Sequence, residues 1–315
     1  MDACLDIVIV NWNSGRHLAS CLESIASASG ESACLQKVIV IDNNSTDMSK
    51  PEPGSFGLPL KVHANSRNLG FSAACNQGAA MGEADYLLFL NPDTVLFEDS
   101  LTVPLSFMEE PGNERVGITG IQLIDDAGGI SRTCARFPTF RRYVSHSIGL
   151  DRIFPRRFPG QFMSDWDHSQ NREVDHVMGA FFLVRRSLFE TLGGFDERFF
   201  VYAEDMDFSL RARDAGWKSY YLSETRAYHR GGGSSEQVRA LRLFYSLRSK
   251  LLFAFKHFSG VEAVLLSLTV LLLEPIFRIF NAVSHRSAAE VSEVFRSYAM
   301  LLRDLPSMKS SRSAE

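Results

Sequence analysis

Three short segments of this chain carry side chains able to do chemistry together. Asn91-Pro92-Asp93 closes an apolar run, Glu204-Asp205-Met206-Asp207 lies far downstream of it, and His229 precedes Gly231, Gly232 and Gly233. A carboxylate such as Asp93, presented by a proline-stiffened turn, suits a hard divalent cation that keeps company with phosphate oxygens. An imidazole at 229, followed by glycine backbone N–H groups, would complete a diphosphate site. Three acids within four positions repel one another, which raises a carboxyl pKa and suits a proton acceptor near neutrality. A cation-bound diphosphate beside a general base describes transfer from a nucleotide-activated donor to a hydroxyl acceptor. Each segment also has a plainer reading. Asn-Pro-Asp starts turns, Asp205 or Asp207 can cap a helix, and a lone histidine after a strand usually packs.

The elements that must position these residues follow from periodicity. Asp6 to Val10 reads as a strand that breaks at Asn11-Trp12-Asn13-Ser14-Gly15. Lys37 to Ile41 reads as another, ended by Asp42-Asn43-Asn44-Ser45-Thr46-Asp47. Between them, Leu18, Cys21, Leu22 and Ile25 fall on one side of a helix over 17–28. Further strands are expected at 60–64, 86–90, 116–123, 174–184 and 217–222, and helices at 72–81, 100–110, 186–192 and 208–215. Continuous apolar strands alternating with helices imply a parallel sheet covered on both faces. Ligands of such sheets collect beyond the carboxyl ends of the strands. Asp42 stands at such an end, where it could accept hydrogen bonds from a pyrimidine ring N–H or a ribose hydroxyl, although its neighbours are also good turn formers. Residues 125–173 read as a long irregular loop, and loops of that length are more often functional than not. Asp165-Trp166-Asp167 within it has metal-type spacing but no strand before it.

The 315 residues are 45% hydrophobic and 22% charged, with a net charge of −4. That composition is globular, and the charge argues against general nucleic-acid binding. Cys4, Cys21, Cys34, Cys75 and Cys134 show no metal-type pairing and read as reduced thiols of a cytosolic protein. The acidic N-terminus runs straight into a strand, which reads as the absence of a signal peptide. Near the other end, Leu243, Phe244, Leu247, Leu251, Phe255 and Phe258 form one helical face, with Arg239, Arg242, Lys250 and Lys256 opposite. Val261 to Leu273 is aliphatic and is stopped by Glu274-Pro275, a run short of the about 20 residues that span a bilayer. Residues 239–280 therefore read either as an interfacial segment at the inner face of the plasma membrane or as helices packed on the catalytic domain or a second subunit.

Taken in order, Ile7–Asn13, Val40–Asp47, Asn68-Leu69-Gly70-Phe71, Asn76-Gln77-Gly78, Leu90–Asp93, Gly179-Ala180, Gly193–Glu197, Glu204–Asp207 and His229 resemble glycosyltransferase family 2, most closely its rhamnosyltransferase-like branch. The resemblance covers roughly residues 5–235. It implies an α/β GT-A fold, a Rossmann-like mostly parallel sheet flanked by helices with a C-terminal helical extension. The expected divisions are a catalytic domain over 1–235, with a nucleotide half at 1–98 and an acceptor half at 99–235, and a helical extension over 236–315. The implied reaction is inverting single displacement from a nucleotide-diphosphate sugar, best matched by dTDP-rhamnose, onto a saccharide or polyprenyl-linked acceptor of cell-surface polysaccharide synthesis. Carried over residue by residue, the resemblance makes Asp205 the catalytic base with Glu204 beside it. Asn11, Asn13, Asp42, Asn44, Asn68, Gly70, Phe71, Asn76, Asn91 and Asp93 would face the donor. Gly179, Ala180 and Glu204 would face the acceptor. Asp93 and His229 would hold a divalent cation, Mg2+ or Mn2+. Asn91 stands where the motif has its first acid, so metal binding through that position is weaker or absent. A UDP-sugar transferase, a nucleotidyltransferase and a catalytically silent nucleotide-sugar binder are the competing readings. The glycine-rich phosphate loop that the nucleotidyltransferase needs is poorly matched by Asn13-Ser14-Gly15-Arg16.

Overall fold

The runs Ile7–Val10, Val38–Ile41 and Tyr86–Leu90 have no side suited to water, and each becomes a strand buried along its length. The computed structural model describes residues 3–29, 34–52, 54–231 and 239–310. Gly232 and Gly233, expected beside His229, lie outside the described residues. The strands are β1 (Cys4–Asn11), β2 (Cys34–Asp42), β3 (Leu60–Ala64), β4 (Tyr86–Leu90), β5 (Thr94–Leu96), β6 (Val116–Ile124), β7 (Ile130–Ser131), β8 (Arg172–Val174), β9 (Phe181–Arg185) and β10 (Lys218–His229). The helices are α1 (His17–Ala28), α2 (Phe71–Ala79), α3 (Thr102–Glu109), α4 (Phe140–Ser147), α5 (Leu150–Ile153), α6 (Arg186–Thr191), α7 (Glu204–Asp214), α8 (Arg239–His257), α9 (Gly260–Leu268), α10 (Glu274–Ser284) and α11 (Ala288–Ser310).

One sheet runs in the order β3-β2-β1-β4-β9-β6-β10-β5, with β7 on β6 and β8 on β10. Its first four strands are parallel. β9 then reverses direction between β4 and β6, so the sheet is mixed. Alternate residues of β1 face opposite layers. Leu5, Ile7 and Ile9 pack with Leu18, Cys21, Leu22 and Ile25 of α1, while Val8 and Val10 pack with Ala74 and Cys75 of α2. Two-sided burial explains the unbroken apolar strands, and it leaves only the strand ends for polar chemistry.

Chain contacts divide the molecule into two compact units. The first comprises Met1–Phe137, Phe162–Phe200 and Glu204–Ser234 and holds the sheet; the second comprises Pro138–Gln161, Val201–Ala203 and Ser235–Glu315 and is helical. The stretch read as one irregular loop thus contains two helices, α4 and α5, that cluster with the C-terminal helices. The single strand expected over 174–184 is split, because backbone and side chain of 175–176 pair elsewhere. His176 O accepts from Ala135 N and the Asp175 carboxylate accepts from Phe137 N. The last strand reaches His229, well past 222, by resuming its pairing with β6 at Arg226 after a register shift.

Two further expectations are corrected. The parallel register sets Cys4 beside Cys34 with Cα atoms 4.7 Å apart, and the pair is a disulfide; Cys21, Cys75 and Cys134 are free and buried. Positions thirty residues apart give no hint of pairing until strand register aligns them. Glu274-Pro275 also fails to end the aliphatic helix. Pro275 stands in the first turn of α10, directly after a π turn, and the helical backbone continues through it. With a π turn at Thr269–Leu273 joining α9 to α10, Gly260–Ser284 is one helical stretch of 25 residues containing an 18-residue window of mean hydropathy 2.0, long and apolar enough by those two measures to cross a membrane.

Closing a loop of this size stabilises a fold by about 3 kcal/mol. Cys34→Ser should therefore lower the unfolding free energy by about that amount, and dithiothreitol should move the urea midpoint of the wild type but not of the variant. A wild-type midpoint indifferent to reductant would show that the pair is open in solution.

Candidate active site

The carboxyl ends of β1 and β2 lie side by side, with Asn11 in register with Asp42. The buried Asn11 amide donates to Asp42 Oδ1 at 2.8 Å, to Ser49 Oγ at 3.0 Å and to Ser45 Oγ at 3.2 Å. Ser45 N donates to the other Asp42 oxygen. Asn13, held at φ +51°, accepts from Thr46 N at 2.7 Å and Asp47 N at 3.2 Å. Asn44, at φ +64°, is exposed at the same turn. Asn43, which sequence reasoning passed over, is almost fully buried and organises the next segment. Its amide donates to Asn68 Oδ1 and Gly70 O and accepts from Leu69 N and Asn65 Nδ2. The only forewarning in the sequence was a third polar residue directly after a buried strand.

Gly70 must be glycine. Its φ is +92°, and a Cβ there would lie 2.6 Å from Phe200 O, the same oxygen that accepts from Phe71 N. Asn76 is spent on the chain itself. It donates to Phe195 O and Glu197 Oε1 and accepts from Phe195 N, pinning the Gly193–Glu197 turn.

Asp93 and His229 meet because β10 runs antiparallel to β5, pairing His229 with Thr94. His229 Nε2 lies 3.3 Å from Asp93 Oδ1 and 3.4 Å from Asn91 Nδ2. Arg230, also unforeseen, is exposed at this edge, its guanidinium 3.5 Å from His17 Nε2. Among the described residues no group of three or more His, Cys, Asp and Glu is arranged to hold a metal ion by itself. Asp93 and His229 offer one oxygen and one nitrogen close enough to share an ion. That donor set fits Mg2+ or Mn2+ bound mainly by phosphate oxygens and water, since such ions take few protein ligands.

Asp205 opens α7 and is held by backbone. Oδ2 accepts from Gly179 N at 2.9 Å and Oδ1 from Met206 N at 2.8 Å. A Cβ at 179 would lie 2.7 Å from that Oδ2, so the close approach requires glycine. The next residue, Ala180, accepts through its carbonyl from Asn91 N at 3.0 Å, which ties the Asp205 cradle to the Asn91–Asp93 turn. His176, which the sequence reading did not single out, is buried with Nε2 3.5 Å from Asp205 Oδ2 and Nδ1 2.9 Å from Ser209 Oγ. The residues leading into α7, Tyr202 and Ala203, have φ of +70° and +66°, a strained backbone that persists only where its surroundings over-determine it.

Repulsion among 204–207 does raise a carboxyl, but the residue is Glu204 and not Asp205. Burial, then the charges of Asp205 and Asp207, hold Glu204 well above the usual carboxylate range, and its Oε2 has no hydrogen-bond partner among the described residues. Burial pushes Asp205 up as well. The His176 imidazole and the Met206 and Gly179 N–H groups outweigh that and leave its carboxyl below the ordinary value. The two carboxyls are thus pushed apart, Asp205 toward its charged form and Glu204 toward its protonated form. Asp207 is fully buried against Arg211 Nε at 2.8 Å, and Arg211 also caps Leu192 and Gly194 carbonyls, which makes Asp207 structural.

Residues 6–193 match the sequence pattern of glycosyl transferase family 2. The chain belongs to that family. Within it, the relatives place it in the rhamnosyltransferase-like branch. It is 28% identical over 273 residues to the N-acetylglucosaminyl-diphospho-decaprenol L-rhamnosyltransferase of Mycobacterium tuberculosis, covering 82% of this chain and 87% of that one. It is 31% identical over 148 residues to the rhamnosyltransferase WbbL of Escherichia coli K12, covering 46% and 52%. Among solved structures, the mannosyltransferase PcManGT of Pyrobaculum calidifontis, in complex with GDP-Man and Mn2+, superposes with a TM-score of 0.56 at 14% identity over 98% of this glycosyltransferase and 85% of that chain. That likeness bears on the fold alone.

The raised Glu204 carboxyl has a thermodynamic consequence. Unfolded, Glu204 loses its proton near the ordinary value of 4.5, while the folded protein keeps it. Stability must then fall as pH rises above 4.5, by up to about 1.4 kcal/mol per pH unit, until the folded group titrates. Urea denaturation between pH 5 and 8 should show Glu204→Gln gaining on the wild type with increasing pH. A constant difference across that range would mean that Glu204 is ionised in the native protein.

Proposed function

We propose that this glycosyltransferase moves a sugar, L-rhamnose from dTDP-rhamnose, from a nucleotide-diphosphate donor onto a lipid-linked saccharide in cell-surface polysaccharide synthesis, inverting the anomeric centre. The observation that carries the proposal is the placement of the Asp205 carboxylate, held by the Gly179 and Met206 N–H groups, one short backbone bridge from the Asn91–Asp93 turn and His229. A relative that aligns over four-fifths of the chain and is named an L-rhamnosyltransferase acting on N-acetylglucosaminyl-diphospho-decaprenol supports the choice of sugar and acceptor class.

In this reading Asn11 and Asn13 shape the Asp42 turn, and Asp42 reads the base or ribose of the donor. Asn43, through Asn68, fixes the Gly70-Phe71 entry of α2 that borders the donor. Asp93 and His229 would hold Mg2+ or Mn2+. When bound, such a cation supplies Lewis-acid neutralisation of the leaving diphosphate. Asp205 accepts the proton of the acceptor hydroxyl while that oxygen forms its bond to the anomeric carbon and the bond to the diphosphate breaks. A low carboxyl pKa keeps Asp205 ionised across the neutral range, ready to take that proton. Protonated Glu204 can donate to a second acceptor hydroxyl, which a carboxylate could not do.

A general base contributes about 10²–10⁴-fold. Asp205→Asn should lose turnover on that scale while dTDP-rhamnose binding, read by thermal shift against UDP- and GDP-sugars, stays within a factor of about three; more than a tenth of wild-type turnover would remove Asp205 from the role. His176→Phe should move the acid limb of the kcat/KM profile to higher pH, because it deletes what most lowers the Asp205 carboxyl. A limb left in place by that change would reduce His176 to packing.

A further inference from the structure

The second unit carries an apolar face that none of its described residues covers. Along Gly260–Ser284 one side of the helix packs inward through Ala263, Leu266, Val270 and Glu274, all at most 1% exposed. The opposite side presents Val261, Leu265, Leu268, Leu272, Ile276 and Phe280, each 46–73% exposed. Their spacing of three, four and seven residues aligns them in one stripe without a charge. An uncovered stripe of this length on a water-soluble surface marks an interaction site.

The occupant follows from attachment and charge. Glu274, in the middle of the helix, accepts from Lys250 Nζ at 3.0 Å, Ser147 Oγ at 2.7 Å and Arg278 Nε at 2.9 Å. Separating such a buried pair strands an uncompensated charge, so the helix stays on α4 and α8 and meets its partner side-on. The unit formed by 138–161, 201–203 and 235–315 contains sixteen Lys and Arg against eight Asp and Glu, a balance of +8 in a chain whose net charge is −4. A second copy of so basic a unit would be repelled, whereas an anionic surface would be attracted. Arg152, Arg156 and Arg157 are all exposed and interleave with exposed Ile153 and Phe154 next to α4, which itself packs on α9 and the π turn. Basic and apolar side chains alternating at an exposed surface suit a lipid headgroup layer.

We propose that the Gly260–Ser284 stripe, with the Arg152–Arg157 loop, is a docking surface for an anionic lipid bilayer, the helix lying in the interface plane and not across it. The proposal stands apart from the catalytic reading, because vesicle binding needs no turnover. The test is flotation of the full chain with phosphatidylcholine vesicles containing or lacking about one-third phosphatidylglycerol. Wild-type protein should float with the anionic vesicles, and at least tenfold less with neutral vesicles or in 1 M salt. Leu268→Glu with Leu272→Glu, and separately Arg156→Glu with Arg157→Glu, should each reduce the floated fraction about tenfold without changing the melting temperature. Both pairs sit on exposed positions, so either alone keeps the test decisive. No flotation of the wild type, equal flotation on neutral vesicles, or undiminished flotation of both variants overturns the proposal. A wild-type dimer that the leucine-to-glutamate pair splits would assign the stripe to a second copy instead.

Discussion

Asp205, its side chain 19% exposed, has its carboxyl held below the ordinary value against partial burial, first by the His176 imidazole and then by the backbone N–H groups of Met206 and Gly179. A buried carboxylate ionises only when hydrogen bonds replace its lost hydration. Much of the surrounding architecture serves that requirement. Gly179 has no side chain because a Cβ would occupy the space of the carboxylate. The 175–180 segment leaves the sheet between β8 and β9 so that its N–H groups can turn toward α7. The next carbonyl, of Ala180, binds Asn91 N, so the base and the Asn91–Asp93 turn share one piece of backbone. Glu204 bears the cost: its neighbour's charge and its own burial keep it protonated.

The donor side solves a different problem with the same means. Strand ends in a two-sided sheet are the only places where polar groups escape the core, and here asparagines fill them. Asn11 and Asn43, both almost wholly buried, use donors and acceptors on one planar amide to tie the strand ends to the loops around Ser45, Ser49, Asn68 and Gly70. A carboxylate at either position would add a charge to be neutralised beside Asp42. An amide satisfies several backbone and side-chain partners at no electrostatic cost.

The helical unit inverts the usual economy of a surface helix. One flank of Gly260–Ser284 is anchored by a buried ion network, whose net contribution to stability is small once desolvation is counted, while the other exposes aliphatic and aromatic side chains. Lys250 illustrates the balance. Burial pulls its ammonium down from the ordinary value, and Glu274, pushed up by its own burial, is drawn below the ordinary carboxylate value by Lys250 and Arg278. The network fixes which flank faces inward more than it adds stability.

Much of the sheet was legible from residue types. Unbroken aliphatic runs at 7–10, 38–41 and 86–90 can only be strands covered on both faces, and polar residues directly after them can only sit at the rim. The acids at 93 and 204–207 and the histidine at 229 stood out for the same reason, as polar groups where local pattern alone required none. What the linear order withheld depends on partners distant in the chain. Cys4 meets Cys34 only through strand register, and His176 faces Asp205 only after β8 and β9 separate. Which of two adjacent acids is drawn toward its charged form depends first on His176, distant in the chain, and on the deeper burial of Glu204. Composition identified the aliphatic run at 261–273 but not that helix continues through Pro275, nor that one apolar flank is left bare. Periodicity reports how hydrophobic a face is, and only packing determines whether anything lies against it.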